Sequence, residues 1–349
     1  MYLMNSFTAF MDTNKAAVEK RIARLLKGHT FGKDPIMNRM TEVIEEFCLR
    51  DGKRIRPLLA LLGYDLFLGE DKDSMLTVAS ALELLHAFLL IHDDIMDLSD
   101  KRRGKKTVHK IYEEHYKGTE LDGEHMAMLS GDTLCFIAYK ALFTTSFDDA
   151  KKCRTLEMVN EILVQTCHGQ ALDYEMQAYP ILKERIMEMY KLKTSIYTIS
   201  GPLEIGAMLA GAGNDDRKVL QRFALPLGIA FQIQDDLLDA FPTGADTGKA
   251  RYGDLKEGKH TILAYHALEH AQGPDKRFLE KHLGDEKLTD AQGDKICRIM
   301  EIAGSKDYAL DLIRELSGQA REAISSSDLD TEKKERLLDL LEYVMKRKK

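Results

Sequence analysis

Twice in this chain three aspartates stand at i, i+1 and i+4: Asp93, Asp94 and Asp97 in HDDIMD, and Asp235, Asp236 and Asp239 in QDDLLD. Each cluster ends an otherwise apolar stretch. Aspartate is a mediocre helix former and is seldom buried without a partner, so both clusters call for a cation. At about 100° per residue, Asp93 and Asp97 lie about 40° apart on a helix, as do Asp235 and Asp239, and each pair can aim at one point. Neighbouring carboxylates in a partly buried site do not all stay ionised without a counter-charge. Oxygen donors without histidine or cysteine select Mg²⁺, with Mn²⁺ fitting the same set, and Mg²⁺ is typically held by one or two carboxylates plus substrate phosphate. Either cluster alone also reads as a solvated acidic helix end. His92–Asp93 also fits the HD pair of metal phosphohydrolases, which needs further ligand histidines and leaves the second cluster unexplained.

Chemistry on a magnesium-bound phosphate needs side-chain cations for the remaining charge. The sequence offers Lys53 and Arg56 in GKRIRP, Arg102 and Arg103 in RRG, the pair Lys193-Thr194, and Lys249 and Lys259 in DTGKARYGDLKEGKHT. His86, seven residues before Asp93, falls about 20° from it on the same helix face. Singly these are solvated turns; together they suit two anion sites.

The elements that must position these residues are helices. Apolar residues recur at three- and four-residue spacing through 17–27, 75–98, 126–146, 154–179, 182–212, 217–241, 260–272 and 331–347. Strand-like alternation is nearly absent and the seven prolines fall mostly between these segments. The expected fold is all-α: one domain over 1–349, a single large bundle of ten or more helices around a central apolar cavity. The stretches 75–98 and 217–241 are apolar almost all round, as helices in the centre of a bundle are. Pro202, inside an otherwise helical run, is expected to kink it, and Gly201, Gly206 and Gly211 to serve close helix packing. Residues 242–260, with four glycines and two candidate lysines, read as a lid.

Bulk composition narrows the function. With 349 residues, 44% hydrophobic and 31% charged, the chain is neither disordered nor fibrous. A net charge of −7 argues against a general nucleic-acid binder. The N-terminus lacks a basic region followed by an apolar core and no run of about 18 uninterrupted apolar residues occurs, so no transmembrane segment and a cytoplasmic location are expected. Five cysteines, none spaced as CxxC, argue against disulfides and zinc and read as small core residues.

Seven motifs in order, GKRIRP, ELLHAFLLIHDDIMD, RRG with TVH, HGQALDYE, KTSIYTISGPLEIGAMLAG, FQIQDDLLD and GDLKEGKHT, resemble the trans-isoprenyl diphosphate synthases, or polyprenyl synthetases, over about residues 50–265. The resemblance implies an all-α homodimer that condenses isopentenyl diphosphate with C5 to C15 allylic diphosphates. It implies that Asp93, Asp97 and Asp235 ligate three Mg²⁺ on the allylic diphosphate, with Asp94, Asp236 and Asp239 assisting directly or through water. Arg102, Lys193, Lys249 and Lys259 would hold that diphosphate, and Lys53, Arg56, His86 and Arg103 isopentenyl diphosphate. Thr194 and Gln232 would lie near the reacting carbons, with Gln170 and Asp173 lining the same cavity. Phe88, the fifth residue before Asp93, would act as the floor of the tail cavity beside aliphatic Leu89. With the short DDxxD this resembles geranylgeranyl synthases and implies a C20 product, while C15 and C25 or longer products stay open. Lys106 stands where the family commonly has proline. A terpene cyclase is disfavoured by the second DDxxD, and a non-catalytic partner subunit by the presence of both motifs.

Overall fold

A computed structural model describes residues 7–29, 34–119, 121–241 and 252–346 of the chain. Lys249 and most of the expected lid lie outside these residues. Among them the elements are α1 (Phe7–Lys27), α2 (Pro35–Cys48), α3 (Ile55–Leu66) and α4 (Lys72–Met96), then a hairpin of β1 (Lys101–Arg102) and β2 (Lys105–Lys106). There follow α5 (Val108–His115), α6 (Gly123–Phe143), α7 (Asp149–Met176), α8 (Lys183–Met189), a π-helical segment (Tyr190–Ser200) and α9 (Gly201–Leu209). The last are α10 (Asn214–Ala240), α11 (Gly253–Glu257), α12 (Ile262–His270), α13 (Gly273–His282), α14 (Asp290–Ile302), α15 (Ser305–Ser325) and α16 (Thr331–Met345). The fold is all-α, as the periodicity implies.

Contacts divide the described residues into two compact units, one within 8–158 and 202–212 and the other within 159–201 and 213–346, with Phe7 going with the second. The first unit is built on α4, which packs on α6 and α3. Asp71 caps α4 by accepting from Ser74 N–H, and Asp73 in its first turn suits the helix dipole. Leu84, Leu85 and Ile91 are essentially inaccessible, and the helix runs out at Met96 with Asp97 as its C-cap. Both α4 and α6 are long and apolar enough to cross a membrane by length and composition, with 72% and 44% of their most apolar windows buried within the protein. Buried Glu83 and Asp94 mark α4 as a core helix.

The second unit is built on α10, which packs on α15 and the π-helical segment. Pro226 stands inside α10, although the prolines were expected mostly between helices. Backbone spacing decides that contact: a Cβ on Gly228 would come within 2.4–2.7 Å of Ser195 Oγ, Cα and Cβ. Ser195 in turn donates to the carbonyl of Leu225, one residue before that proline, at 2.7 Å.

The expected kink at Pro202 takes another form. The chain winds in wide π turns from Tyr190 to Ser200, Gly201 N–H bonds the carbonyl of Ile196 five residues back, and α-geometry resumes at Gly201. Pro202 has no N–H to give, and the wider register upstream absorbs the mismatch. Gly206 does serve close packing, since a Cβ there would lie 2.0 Å from the carbonyl oxygen of Ala60. Gly63 meets the carbonyl of Leu203 the same way at 2.1 Å. Gly211 does not: its φ of 93° with no atom within 4 Å makes it a turn residue. The cysteine expectation is corrected too, for Cys48 and Cys297 are buried but Cys153 and Cys167 are exposed.

Gly206→Ala should therefore destabilise the protein by about 1–3 kcal/mol, because the obstructing atom is backbone and has no rotamer to change. Gly318→Ala on the exposed face of α15, where nothing lies within 4 Å, should instead stabilise by about 0.5–1 kcal/mol. Urea unfolding of the two variants reads the opposite signs.

Candidate active site

The first aspartate cluster sits at the C-terminal end of α4 and meets the arginines of the hairpin. Asp94 is fully buried, and Arg102 donates from Nε to Asp94 Oδ1 and from Nη2 to Asp93 Oδ2 at 3.3 Å. The hairpin holds Arg102 there: its turn has positive φ at Arg103 and Gly104, and Thr107 Oγ1 ties its base to the Ser99 carbonyl at 2.7 Å. Burial, only partly offset by Arg102, pushes the Asp94 carboxyl up to about 6. Burial opposes the charge on Arg102, but Asp94 and Asp93 outweigh it and hold the guanidinium above its ordinary value. Asp94 Oδ2 is buried with no hydrogen-bond partner.

Beside this cluster lies a group of arginines. Arg56 Nη1 is 3.1 Å from His86 Nε2. A guanidinium only donates, so Nε2 accepts and His86 is neutral. Burial first, then Arg56, Arg103 and Arg102, drive its pKa well below the usual histidine value. Arg54, one of the GKRIRP cations but given no role of its own by the sequence, organises the group. It is 3% exposed, adopts a left-handed φ of 53°, and donates to Glu83 at 2.8 Å, to Glu19 at 3.3 Å and to the carbonyls of Cys48 and Arg50 at 3.0 and 2.6 Å. Arg103 donates to the same Arg50 carbonyl at 3.4 Å, and its guanidinium covers Gly52, where a Cβ would come within 2.8 Å. Lys53 is half-buried in the same loop. The signal for Arg54 was a third cation in GKRIRP together with Glu83, an acid one turn before His86 in an oily helix.

Other first-unit residues lie differently. Lys106 is exposed and pairs with Glu114 at 2.7 Å, so it points to solvent. His92 turns to α6: its ring meets Gly131, its Nε2 is 3.5 Å from Asp132, and it stacks edge-on against Phe88 with centroids 4.9 Å apart. Phe88 and Leu89 are both partly buried.

The second cluster ends α10 and is held by a continuous hydrogen-bonded chain. Ile262 N–H donates to the Tyr190 hydroxyl at 3.0 Å, and that hydroxyl donates to Asp236 Oδ2. From the other side Thr194 Oγ1 donates to Gln232 Oε1 at 2.7 Å, and Gln232 Nε2 to Asp236 Oδ1 at 2.8 Å. Burial first, then Asp254, pushes the Asp236 carboxyl well above its usual range; burial and Asp236 do the same to the Tyr190 phenol. Lys193 Nζ donates to Asp173 Oδ2 at 2.6 Å, while Asp173 Oδ1 is buried without a hydrogen-bond partner. This pairing requires α7 to touch the π-helical backbone, and Gly169 permits it, since a Cβ would lie 2.5 Å from Lys193 N. Gln170 is partly buried one turn away. Lys259 pairs with Glu257 at 2.8 Å and Asp254 at 3.9 Å. Asp236, Asp239, Asp254, Lys259 and Thr261 line a shallow cleft.

A sequence profile described as Polyprenyl synthetase matches residues 37–300. The chain belongs to the polyprenyl synthetase family. It is 37% identical over 241 residues to a short chain isoprenyl diphosphate synthase of Methanocaldococcus jannaschii, covering 69% of this chain and 70% of that one. It is 33% identical to a geranylfarnesyl diphosphate synthase of Aeropyrum pernix, covering 85% and 91%. Among solved structures, a geranylgeranyl pyrophosphate synthase from Corynebacterium glutamicum, complexed with isoprenyl diphosphate and magnesium, superposes with a TM-score of 0.90 at 29% identity over 97% of this chain and 99% of that one. The activity of the family is prenyl transfer between diphosphates.

The residues present fit Mg²⁺. The donors are carboxylate oxygens, and Asp94 Oδ2 is a buried acceptor with its hydrogen-bonding capacity unused. Among the described residues no three of His, Cys, Asp and Glu form a complete cage.

Two outcomes follow from the arginine group. Glu83→Gln removes the nearer and more buried of the two carboxylates that balance Arg54, leaving only Glu19, and should cost about 2–3 kcal/mol in urea unfolding. His86 is neutral in the folded protein, while the unfolded chain takes up a proton below about pH 6.5. The unfolded state then binds more protons, so stability falls as pH drops through that range. Thermal melts from pH 7.5 to 5.5 should fall less steeply for His86→Gln than for the unchanged protein.

Proposed function

We propose that this protein is a Mg²⁺-dependent geranylgeranyl diphosphate synthase, extending allylic diphosphates with isopentenyl diphosphate to C20. The observation that carries the reading is the pair of aspartate clusters at the ends of two buried helices, each set against its own fixed polar partners. The reading takes all 349 residues as one synthase domain, supported by 97% coverage against the Corynebacterium structure. For product length, the short DDxxD and the pair Phe88 and Leu89 favour C20; the Aeropyrum relative makes C25 the second reading.

In this reading Asp93, Asp97, Asp235 and Asp239 would hold Mg²⁺, three ions in all, with Mn²⁺ able to replace it. When bound, the ions neutralise and polarise the leaving diphosphate. Arg102, Lys193, Lys249 and Lys259 bind the allylic diphosphate, and Lys53, Arg56, neutral His86 and Arg103 bind isopentenyl diphosphate. Arg102 has its guanidinium already oriented by Asp93 and Asp94, so little entropy is lost when a phosphate arrives. Lys193 is likewise set by Asp173.

The allylic C–O bond ionises, its electron pair leaving with the diphosphate. The isopentenyl double bond attacks C1 of the allylic cation, and the proton lost in forming the new double bond passes to the departing pyrophosphate. Thr194 and Gln232, whose hydroxyl and amide are committed to the chain ending on Asp236, present oriented dipoles rather than a nucleophile to the cation. Apolar walls keep out the water that would quench it.

A homodimer belongs to the same proposal. On α6, Leu129, Phe136 and Phe143 recur every seven residues and are 55%, 72% and 60% exposed, an apolar stripe of the kind a second copy covers.

The test is incubation with Mg²⁺, labelled isopentenyl diphosphate and each of the C5, C10 and C15 primers, with products dephosphorylated and sized. A C20 alcohol that disappears with EDTA and in Asp93→Ala is the expected result, with Phe88→Ala shifting the product to C25. No condensation with any primer would point to a non-catalytic partner subunit instead.

A further inference from the structure

The two aspartate clusters have the same spacing but different middles. Asp94 uses one oxygen on Arg102 and leaves Oδ2 buried without a hydrogen bond, whereas both oxygens of Asp236 are taken by neutral donors of the protein itself, Tyr190 and Gln232. We infer that Tyr190 is a positioning residue: its hydroxyl joins the second cluster to the start of α12 and makes Asp236 an internal anchor, so that Asp235 and Asp239 alone of that cluster face a cation-diphosphate ligand. The inference rests on the synthase reading and deepens it.

The direction of the hydrogen bonds requires this division. Ile262 N–H has one proton to give and gives it to the phenolic oxygen. The phenol must then direct its own proton at Asp236 Oδ2. Gln232 offers its NH₂ to Oδ1 because its carbonyl oxygen is already accepting from Thr194. Every donor in the chain points toward Asp236, which accepts on both oxygens and gives nothing back. A residue so engaged cannot turn outward without leaving Tyr190 and Gln232 unsatisfied in a buried site, which costs more than one hydrogen bond returns.

The same hydroxyl has a second effect. Ile262 is the first residue of α12, and its N–H is one of the donors that no intrahelical carbonyl can satisfy. Thr261 caps the helix by accepting from Ala264 N–H, and Tyr190 takes Ile262. The start of α12 carries Lys259 just upstream, with Lys259 N–H bonded to the Asp254 carbonyl at 3.0 Å. One hydroxyl therefore sets the spacing between the carboxylates at the end of α10 and the lysine preceding α12. Tyr190 can reach both because it opens the π-helical segment, with Thr194 one turn on feeding the same aspartate through Gln232.

Tyr190→Phe removes the oxygen and keeps the ring. The probe is inorganic pyrophosphate titrated calorimetrically in the presence of Mg²⁺, alongside hydrogen exchange of the peptide containing Ile262. The variant should bind pyrophosphate about tenfold more weakly and exchange faster at the start of α12, with KM for isopentenyl diphosphate unchanged within about twofold. Ile262→Pro deletes the N–H from the other end at a first-turn position that accepts proline, and should weaken pyrophosphate binding in the same direction. A Tyr190→Phe protein with a lower Tm but unaltered pyrophosphate affinity makes Tyr190 a packing residue and overturns the inference alone. An unmodified protein that takes up no pyrophosphate with Mg²⁺ overturns the synthase reading and this inference together.

Discussion

Carboxylates at the ends of oily helices are the constraint around which this protein is organised. Removing a charge from water without a partner is costly enough that the group protonates instead. A site meant to present negative oxygen to a cation must therefore pair or solvate each carboxylate without consuming all of its acceptor capacity. The first cluster meets this with a full charge: Arg102, delivered by a tight hairpin, binds Asp94 and touches Asp93. The second meets it with neutral donors, a phenol and an amide, converging on Asp236. The difference has a chemical consequence. Arginine can share its donors with an arriving phosphate, whereas Tyr190 and Gln232 are fully committed within the fold.

Backbone proximity makes both solutions reachable. Lys193 and Thr194 occupy their places because α7 crosses the π-helical backbone at Gly169 and α10 crosses it at Gly228, contacts that any side chain would hold apart. The π turns do further work. By absorbing the mismatch imposed by Pro202, they let Tyr190, Lys193 and Thr194 serve three partners, Asp236, Asp173 and Gln232, from one helical segment. Sites of this kind often sit on such wide turns, since a local change of register re-aims side chains without breaking the helix.

The sequence conveyed the helices and the aspartates well because each has a strong local signature. Apolar spacing marked α4 and α10, and the abrupt arrival of acids in them marked the clusters. Arg54 was not legible. In GKRIRP it is one cation of three, and only its left-handed backbone and the burial of Glu83 show that it faces inward while Arg56 faces His86. Tyr190 was invisible for a related reason: a tyrosine in a helical run looks like core, and its role depends on a partner 46 and another 72 residues away. The π-helical segment escaped as well, because a single proline in an apolar run is read as a kink rather than as a change of winding spread over the preceding turns.

On the proposed reading, metal and substrate depend on each other at the aspartates. Mg²⁺ is typically held by one or two carboxylates plus substrate phosphate, and a bare diphosphate meeting a row of carboxylates is repelled. An ion held by the aspartates would be completed by phosphate oxygens, and the phosphate would approach the aspartates through the ion, so each would bind better with the other. A pre-formed carboxylate cage would forfeit that dependence, binding metal without substrate and gaining less when substrate arrives. Within the second unit, Asp236 is the rigid anchor, its two oxygens taken by Tyr190 and Gln232 and its place at the end of α10 fixed by them.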